Sequence, residues 1–218
     1  MTSTQTIKNS IQRWNDLIQA FYSQRPNAGE QILSHLLEGD YFEVNRQEYD
    51  YWKKINPLYI HCYLGINADN QLEFHLLDSI NDAQGDFDNH IFTKSYLPSQ
   101  DQGDHDIEEV EVIERKNNWQ QFNNQWLNEI NQNINPILRA VQISFSDYLD
   151  IFNTQTQKCS NFFGLRNADN TSFQHEIEII IGTMMTTIES ESEYYVDVTR
   201  PVPPFGGGES LADYKLLS

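Results

Sequence analysis

The 218-residue sequence predicts an α+β protein, a tandem pseudo-repeat of helices packed on antiparallel sheet. Three observations predict it. Apolar residues recur at helical spacing around Trp14 and again around Trp119, runs of aromatic and branched residues with strand character follow each helix, and a block of the first half returns in the second. Val44, Tyr49 and Gly65 align with Ile143, Tyr148 and Gly164, each 99 residues on, and Asn67-Ala-Asp-Asn70 returns as Asn167-Ala-Asp-Asn170 at an offset of 100. A tetrapeptide alone can match by chance. The shared order of helix, capped helix, aromatic-glycine strand and turn is harder to dismiss.

Ile7, Ile11, Trp14, Leu17, Ile18 and Phe21 fall three or four apart, which places them on one stripe of a first helix. Ile32, Leu33, Leu36 and Leu37 predict a short helix over Glu30 to Glu38, closed by Gly39 in the left-handed conformation. Asn45 with Glu48, and Ser144 with Asp147, repeat one capping arrangement: a side-chain acceptor for free N–H groups and an acid near the positive helix end. Pro57 blocks continuation of the first capped helix, and residues 58–66 form a strand. Each Asn-Ala-Asp-Asn suits a tight reversal, because Asn and Asp bond their own backbone and tolerate positive φ. Leu72, Phe74 and Leu76 then alternate on one returning strand, and Ile177, Ile179 and Ile181 on the other. A third strand is expected in each half, Ile91 to Leu97 and Tyr194 to Thr199, with pairing ended by Pro98 and Pro201.

Asp106, three residues before Glu109, caps the second long helix, whose stripe is Trp119, Phe122, Trp126 and Ile130. The expected organisation is a first unit over 1–98, an acidic linker at 99–106, a second unit over 107–200 and a proline- and glycine-rich tail at 201–218. Whether the two units share one core is left open, as is whether Leu211, Leu216 and Leu217 dock back. A Trp-bearing helix, the hairpins at Tyr63-Leu-Gly65 and Phe162-Phe-Gly164, and the strap Pro201-Val-Pro-Pro-Phe205 together resemble a loose group of small bacterial proteins without an assigned activity. That resemblance implies an α+β fold and no reaction. Members of the group carry cysteines in the strap, where Val202 and Gly206 stand here.

Charge restricts the function. With 14 basic and 32 acidic residues the net charge is −18, a field that repels nucleic-acid phosphates and anionic membrane surfaces and attracts basic partners. The start MTSTQTIKNS has no basic-then-apolar leader pattern, and no apolar run reaches the ~18 residues of a membrane span, so the expected compartment is the cytoplasm. Two isolated cysteines, Cys62 and Cys159, make neither a disulfide framework nor a zinc site.

No catalytic residue, cofactor or metal is assigned. His75 and His175, 100 residues apart, can be aligned as equivalents, and with Glu176 they are the candidate inter-repeat site, which His61 could complete as metal ligands. The absence of any HxH or HExxH spacing favours ordinary strand histidines. Asp82, Asp86 and Asp88 around Gly85 resemble a calcium loop without its ligand spacing, and imply at most weak cation binding. Pro203, Pro204 and Phe205 are candidate partner-binding residues in the strap. The function expected is non-enzymatic protein interaction, with a basic partner or by self-association. The alternatives are a hydrolase or metal-dependent enzyme with a His/Glu site between the halves, and a self-assembling structural protein.

Overall fold

Helices and antiparallel strands alternate through the computed structural model, which describes residues 3–98, 110–130, 137–152, 156–167, 175–183, 194–197, 199–202 and 213–217. The first half runs α1 (Thr4–Tyr22), α2 (Ala28–Leu36), β1 (Tyr41–Asn45), α3 (Arg46–Ile55), β2 (Tyr59–Ile66), β3 (Leu72–Asp78), α4 (Ser79–Gln84) and β4 (Phe92–Ser95). The second runs α5 (Val110–Glu129), β5 (Ala140–Ser144), α6 (Phe145–Phe152), β6 (Lys158–Asn167), β7 (His175–Thr183), β8 (Tyr194–Asp197) and β9 (Thr199–Val202), before a 3-10 turn at Lys215–Leu217. The α+β expectation is borne out. The linker at 99–106 and the cap at Asp106 lie outside the described residues. Among the described residues no helix is long and apolar enough to cross a membrane.

The strands form two antiparallel sheets, each drawing on both halves. Sheet A has the order β1-β6-β7-β8 and sheet B the order β4-β3-β2-β5-β9. The first strand of each half therefore pairs with the second strand of the other. Val44 pairs with Cys159 and Tyr41 with Phe162 in sheet A. Ile143 pairs with Ile60 and Ala140 with Tyr63 in sheet B. Each pair of one ladder becomes a pair of the other when the residue on the first strand moves forward 99 positions and its partner moves back 99. Strands β1 and β5, five residues each, are not read as strands from the sequence. They are short, and what makes them strands is a partner from the other half.

Local chemistry launches the elements between these strands. Asn45 accepts from the Glu48 N–H at 3.1 Å, while Glu48 accepts from the Asn45 N–H at 2.9 Å, a reciprocal capping box that opens α3 directly from β1. Asn56, in the left-handed conformation at φ 53°, closes α3 before Pro57. In the first hairpin Asn67 Oδ1 accepts from the N–H groups of Asp69 and Gln71 at 2.9 and 3.0 Å, so the side chain stands in for a backbone turn.

The inner faces of the two sheets pack together. Phe42 of sheet A stacks on Phe74 of sheet B at 4.4 Å between ring centroids, and Phe74 meets Phe163 at 6.0 Å. Ile60, Cys62, Leu64 and Ile66 face this core by the two-residue period of β2, with Phe163, Leu165, Ile177, Ile179 and Ile181 opposite. Helices α3 and α6 meet alongside it, with Tyr49 stacked on Phe152 at 4.8 Å and Trp52 tilted against Tyr148 at 5.5 Å. The long helices cover the outer faces, where α1 sets Ile7 and Ile11 against Tyr63, Leu77 and Ala140, and α5 sets Val112 against Phe162, Ile180 and Tyr41. Arg13 Nε donates to the Ile66 carbonyl at 2.6 Å and Asn118 Nδ2 to that of Leu165 at 3.4 Å, the same contact in each half.

Three expectations are corrected. Gly39 has no positive φ and α2 ends before it; a Cβ there would lie 2.6 Å from the Tyr96 ring, so close packing explains the glycine. Pro201 does not end pairing, since it lies within β9 opposite Val141, on the edge strand of sheet B, where proline is tolerated. The return strands do not align at 100: Gly65 faces Glu73 and Gly164 faces Glu178, so β7 follows β3 at an offset of 105. More residues separate the paired positions in the second half, so the repeated tetrapeptide does not fix where the strands resume.

Candidate functional site

Strand β2 turns His61, Tyr63 and Gly65 to the outer face of sheet B, because alternate side chains point to opposite sides. Asp78 caps α4, accepting from the Asn81 N–H at 3.0 Å. One turn later Asp82 is fully buried over β2. Gly85, at φ 71°, ends the helix in the left-handed region, a conformation that side chains with a Cβ rarely adopt. Three polar groups from two elements thereby converge under apolar cover.

Asp82 is the hub. Its Oδ2 meets His61 Nδ1 at 2.6 Å and accepts from the Tyr63 hydroxyl. Its Oδ1 accepts from the backbone N–H of Lys215 at 3.0 Å. The Tyr63 oxygen takes a further hydrogen bond from the backbone of Leu216. Burial pushes the Tyr63 phenol well above its ordinary range, and the Asp82 charge, its hydrogen bond and Tyr214 push the same way, so the hydroxyl stays protonated and donating. The Tyr214 ring stacks on His61 at 4.2 Å with 20° between planes, and its edge meets Tyr63 at 6.1 Å. Leu216 joins the apolar cluster of Ile7, Ile11, Leu77 and Ala140. Of the tail leucines whose docking was left open, Leu216 and Leu217 dock back; Leu211 lies outside the described residues.

This arrangement holds polypeptide. Two consecutive main-chain N–H groups are taken up by a carboxylate and a phenol oxygen, an aromatic ring is received on an imidazole face, and an aliphatic side chain enters the cluster under α1. His61 is 3% exposed and Tyr214 0%, so the imidazole–carboxylate pair is sealed by the chain's own terminus.

The candidate inter-repeat residues lie in separate surroundings. His75, fully buried in β3, meets Ser10 Oγ at 3.1 Å, Thr93 Oγ1 at 3.0 Å and Glu73 at 3.3 Å. His175 pairs with Asn167 at the mouth of the second hairpin and stacks on Phe122 at 5.2 Å. Glu176 binds Arg166 at 2.6 Å. The 105-residue offset makes Ile180 the counterpart of His75, so the two histidines are not equivalents. Asp82, Asp86 and Asp88 do not converge either: Asp82 points to His61, Asp86 lies 3.6 Å from His90, and Asp88 accepts from Thr4 at 3.1 Å. No cluster of metal-ligating side chains occurs among the described residues. Pro203, Pro204 and Phe205 lie outside them. Cys62 and Cys159 are both buried, and burial pushes their thiols far above the ordinary range, the opposite of a reactive thiolate.

Sequence reasoning passed over the site itself. From the sequence His61 reads as a possible metal ligand or as a neighbour of Cys62 on the opposite strand face and Asp82 as part of a calcium-like loop, and Tyr214 carries no signal. The available signal was the alternation of His61 and Tyr63 on one face of a strand whose other face is apolar.

An open groove of about 710 Å³ adjoins this site, between the first turn of α1 and residues 87–93. Phe87, Ile91 and Phe92 line it together with Ile7, Asp88 and Glu48. Ile7, Phe87 and Ile91 also pack in the cluster that holds Leu216 and Leu217, so groove and tail share one continuous face. No family model, curated protein or solved structure matches this chain.

Proposed function

We propose that the protein is a non-enzymatic interaction protein whose groove beside α1 takes a basic, partly apolar segment of a protein partner. The observation that carries this reading is the lining of that groove: the apolar side chains of Phe87, Ile91 and Phe92 beside the carboxylate of Asp88, in a chain of net charge −18. Apolar contact supplies affinity there, while the acidic field steers a cationic partner and rejects anionic ones. The buried His61–Asp82 pair fits the same reading, since Asp82 bonds the Tyr63 hydroxyl and the Lys215 backbone of the protein itself.

Immobilised ten-residue peptides of graded net charge test the proposal. Retention of the protein should rise with positive charge, weaken at least tenfold from 20 to 200 mM salt as expected of exposed ionic contacts, and drop in an Asp88→Lys variant. Retention that ignores peptide charge, salt and the Asp88 substitution would refute it.

A further inference from the structure

The outer face of sheet B is occupied by a ligand that the chain itself supplies. Residues 213–217 follow residues 203–212 in the sequence, a stretch that contains Gly206-Gly-Gly208, and include a 3-10 turn at Lys215–Leu217. Their recognition has the form of peptide capture: Lys215 N–H to Asp82 Oδ1 at 3.0 Å, the Leu216 backbone to the Tyr63 oxygen, the Tyr214 ring on His61 at 4.2 Å, and Leu216 against Ile7 and Ile11. Main-chain hydrogen bonds of this kind supply affinity for any peptide, and the side-chain pockets select its sequence.

The second half provides an internal control. At the places of His61, Tyr63 and Ile11, displaced by 99, 99 and 105 residues, stand Ser160, Phe162 and Lys116. Lys116 Nζ lies 4.3 Å from the centre of the Phe162 ring, so a side chain of its own helix covers that ring. Phe162 has no hydroxyl to bond a peptide amide. The second half repeats neither the imidazole of His61 nor the phenol of Tyr63 at these positions.

We propose that the outer face of sheet B is a peptide-binding site for an aromatic-x-aliphatic segment of a partner protein, and that residues 213–217 close it in cis until such a segment displaces them. The partner enters through the adjoining groove, whose residues Ile7, Phe87 and Ile91 belong to or pack against the apolar cluster that holds Tyr214 and Leu216. The inference rests on the interaction reading above but not on its electrostatic part: the recognised features are two amides, a ring and an aliphatic side chain, none of them charged.

The probe is a fluorescein-labelled synthetic peptide of residues 210–218, titrated into the full-length chain. A segment tethered in cis competes at an effective concentration on the order of millimolar, so wild type should bind the probe at least tenfold more weakly than a full-length Tyr214→Ser, Leu216→Ser variant that leaves the site open. The same peptide with alanine at its tyrosine should lose that binding. Equal, weak binding to both proteins would overturn the proposal. Should the double variant fail to fold, amide hydrogen exchange of wild type decides: millimolar probe should speed exchange at Lys215 and Leu216 at least tenfold, and unchanged protection would overturn the proposal. A wild-type chain that becomes dimeric on concentration without probe, with the same two amides protected, would place a second copy's tail in the site and overturn the partner reading. None of these outcomes bears on the charge dependence tested with Asp88→Lys.

Discussion

The outer faces of the two sheets start from the same backbone plan and end in different chemistry. On sheet B, α1 crosses Gly65 so closely that a Cβ there would lie 3.1 Å from the Ser10 carbonyl carbon and 2.9 Å from His75 Nε2. The polar contact between helix and sheet is made by small groups, Ser10 with His75 and Glu73. On sheet A the corresponding glycine, Gly164, would push a Cβ against the flexible end of Ile180 at 2.7 Å. There the polar contact is a two-pronged ion pair, Arg115 Nη1 to both oxygens of Glu178 at 3.0 and 3.1 Å. Ser10 and Arg115 are 105 residues apart, as are Glu73 and Glu178. One helix–sheet junction thus relies on close backbone approach and the other on a long side chain. The close-packed face receives residues 213–217 over its outer side, whereas on the other face Lys116 and Arg115 of its own helix lie against Phe162 and Glu178.

Substitutions at paired positions should break or sharpen this contrast. The largest effect is expected where the halves agree. Trp14→Ala and Trp119→Ala each remove a buried indole, at about 4 and about 3 kcal/mol by urea unfolding. Trp14 costs more because its Nε1 donates to the Leu138 carbonyl at 3.0 Å; equal costs would show that this bond contributes nothing. The glycines should then separate the halves. Gly65→Ala meets backbone and should cost about 3 kcal/mol, and Gly164→Ala about 1 kcal/mol, since the Ile180 end can rotate away. A reversed order would refute the account of the two junctions.

Smaller differences follow at the polar contacts. Arg115→Met removes two charge-assisted hydrogen bonds from the buried Glu178 carboxylate and should cost about 2 kcal/mol, against about 1 kcal/mol for Ser10→Ala. The smallest effect depends on pH. Burial raises the Glu73 carboxyl, but hydrogen bonds from His75 and Ser10, with the charges of His75 and Arg13, outweigh it and hold the group below its ordinary 4.5. A carboxyl lowered by folding stabilises the protein fully above that ordinary value and loses the contribution as pH falls through the folded value. The advantage of wild type over Glu73→Gln should therefore shrink as pH falls below about 4.5. An advantage that grows on acidification would contradict the assignment.

Much of the backbone plan was legible because it rests on short-range chemistry. The stripe of Ile7, Ile11 and Trp14, the Asn45–Glu48 box and the Asn67 turn each involve residues within a few positions of one another. The 99-residue offset was legible as well, and it carries the two strand registers. The offset of the return strands was misread, because identical letters at Asn67 and Asn167 suggested one turn length where there are two. The candidate site was not legible: Asp82 joins His61 across 21 residues, and the Lys215 amide reaches Asp82 across 133.

The sequence by itself determined the helices around Trp14, Leu33, Tyr49, Trp119 and Tyr148, the Asn45–Glu48 cap, the first turn and the recurrence of one pattern of elements, because each follows from side-chain periodicity and local hydrogen bonding; helix α4 was not among them. Only the tertiary structure decided that β1 pairs with β6 and β5 with β2, and that His61, Tyr63, Asp82 and Tyr214 meet. Strand partners and buried polar clusters are chosen by burial among distant segments, and a one-dimensional pattern does not say which distant faces will cover each other.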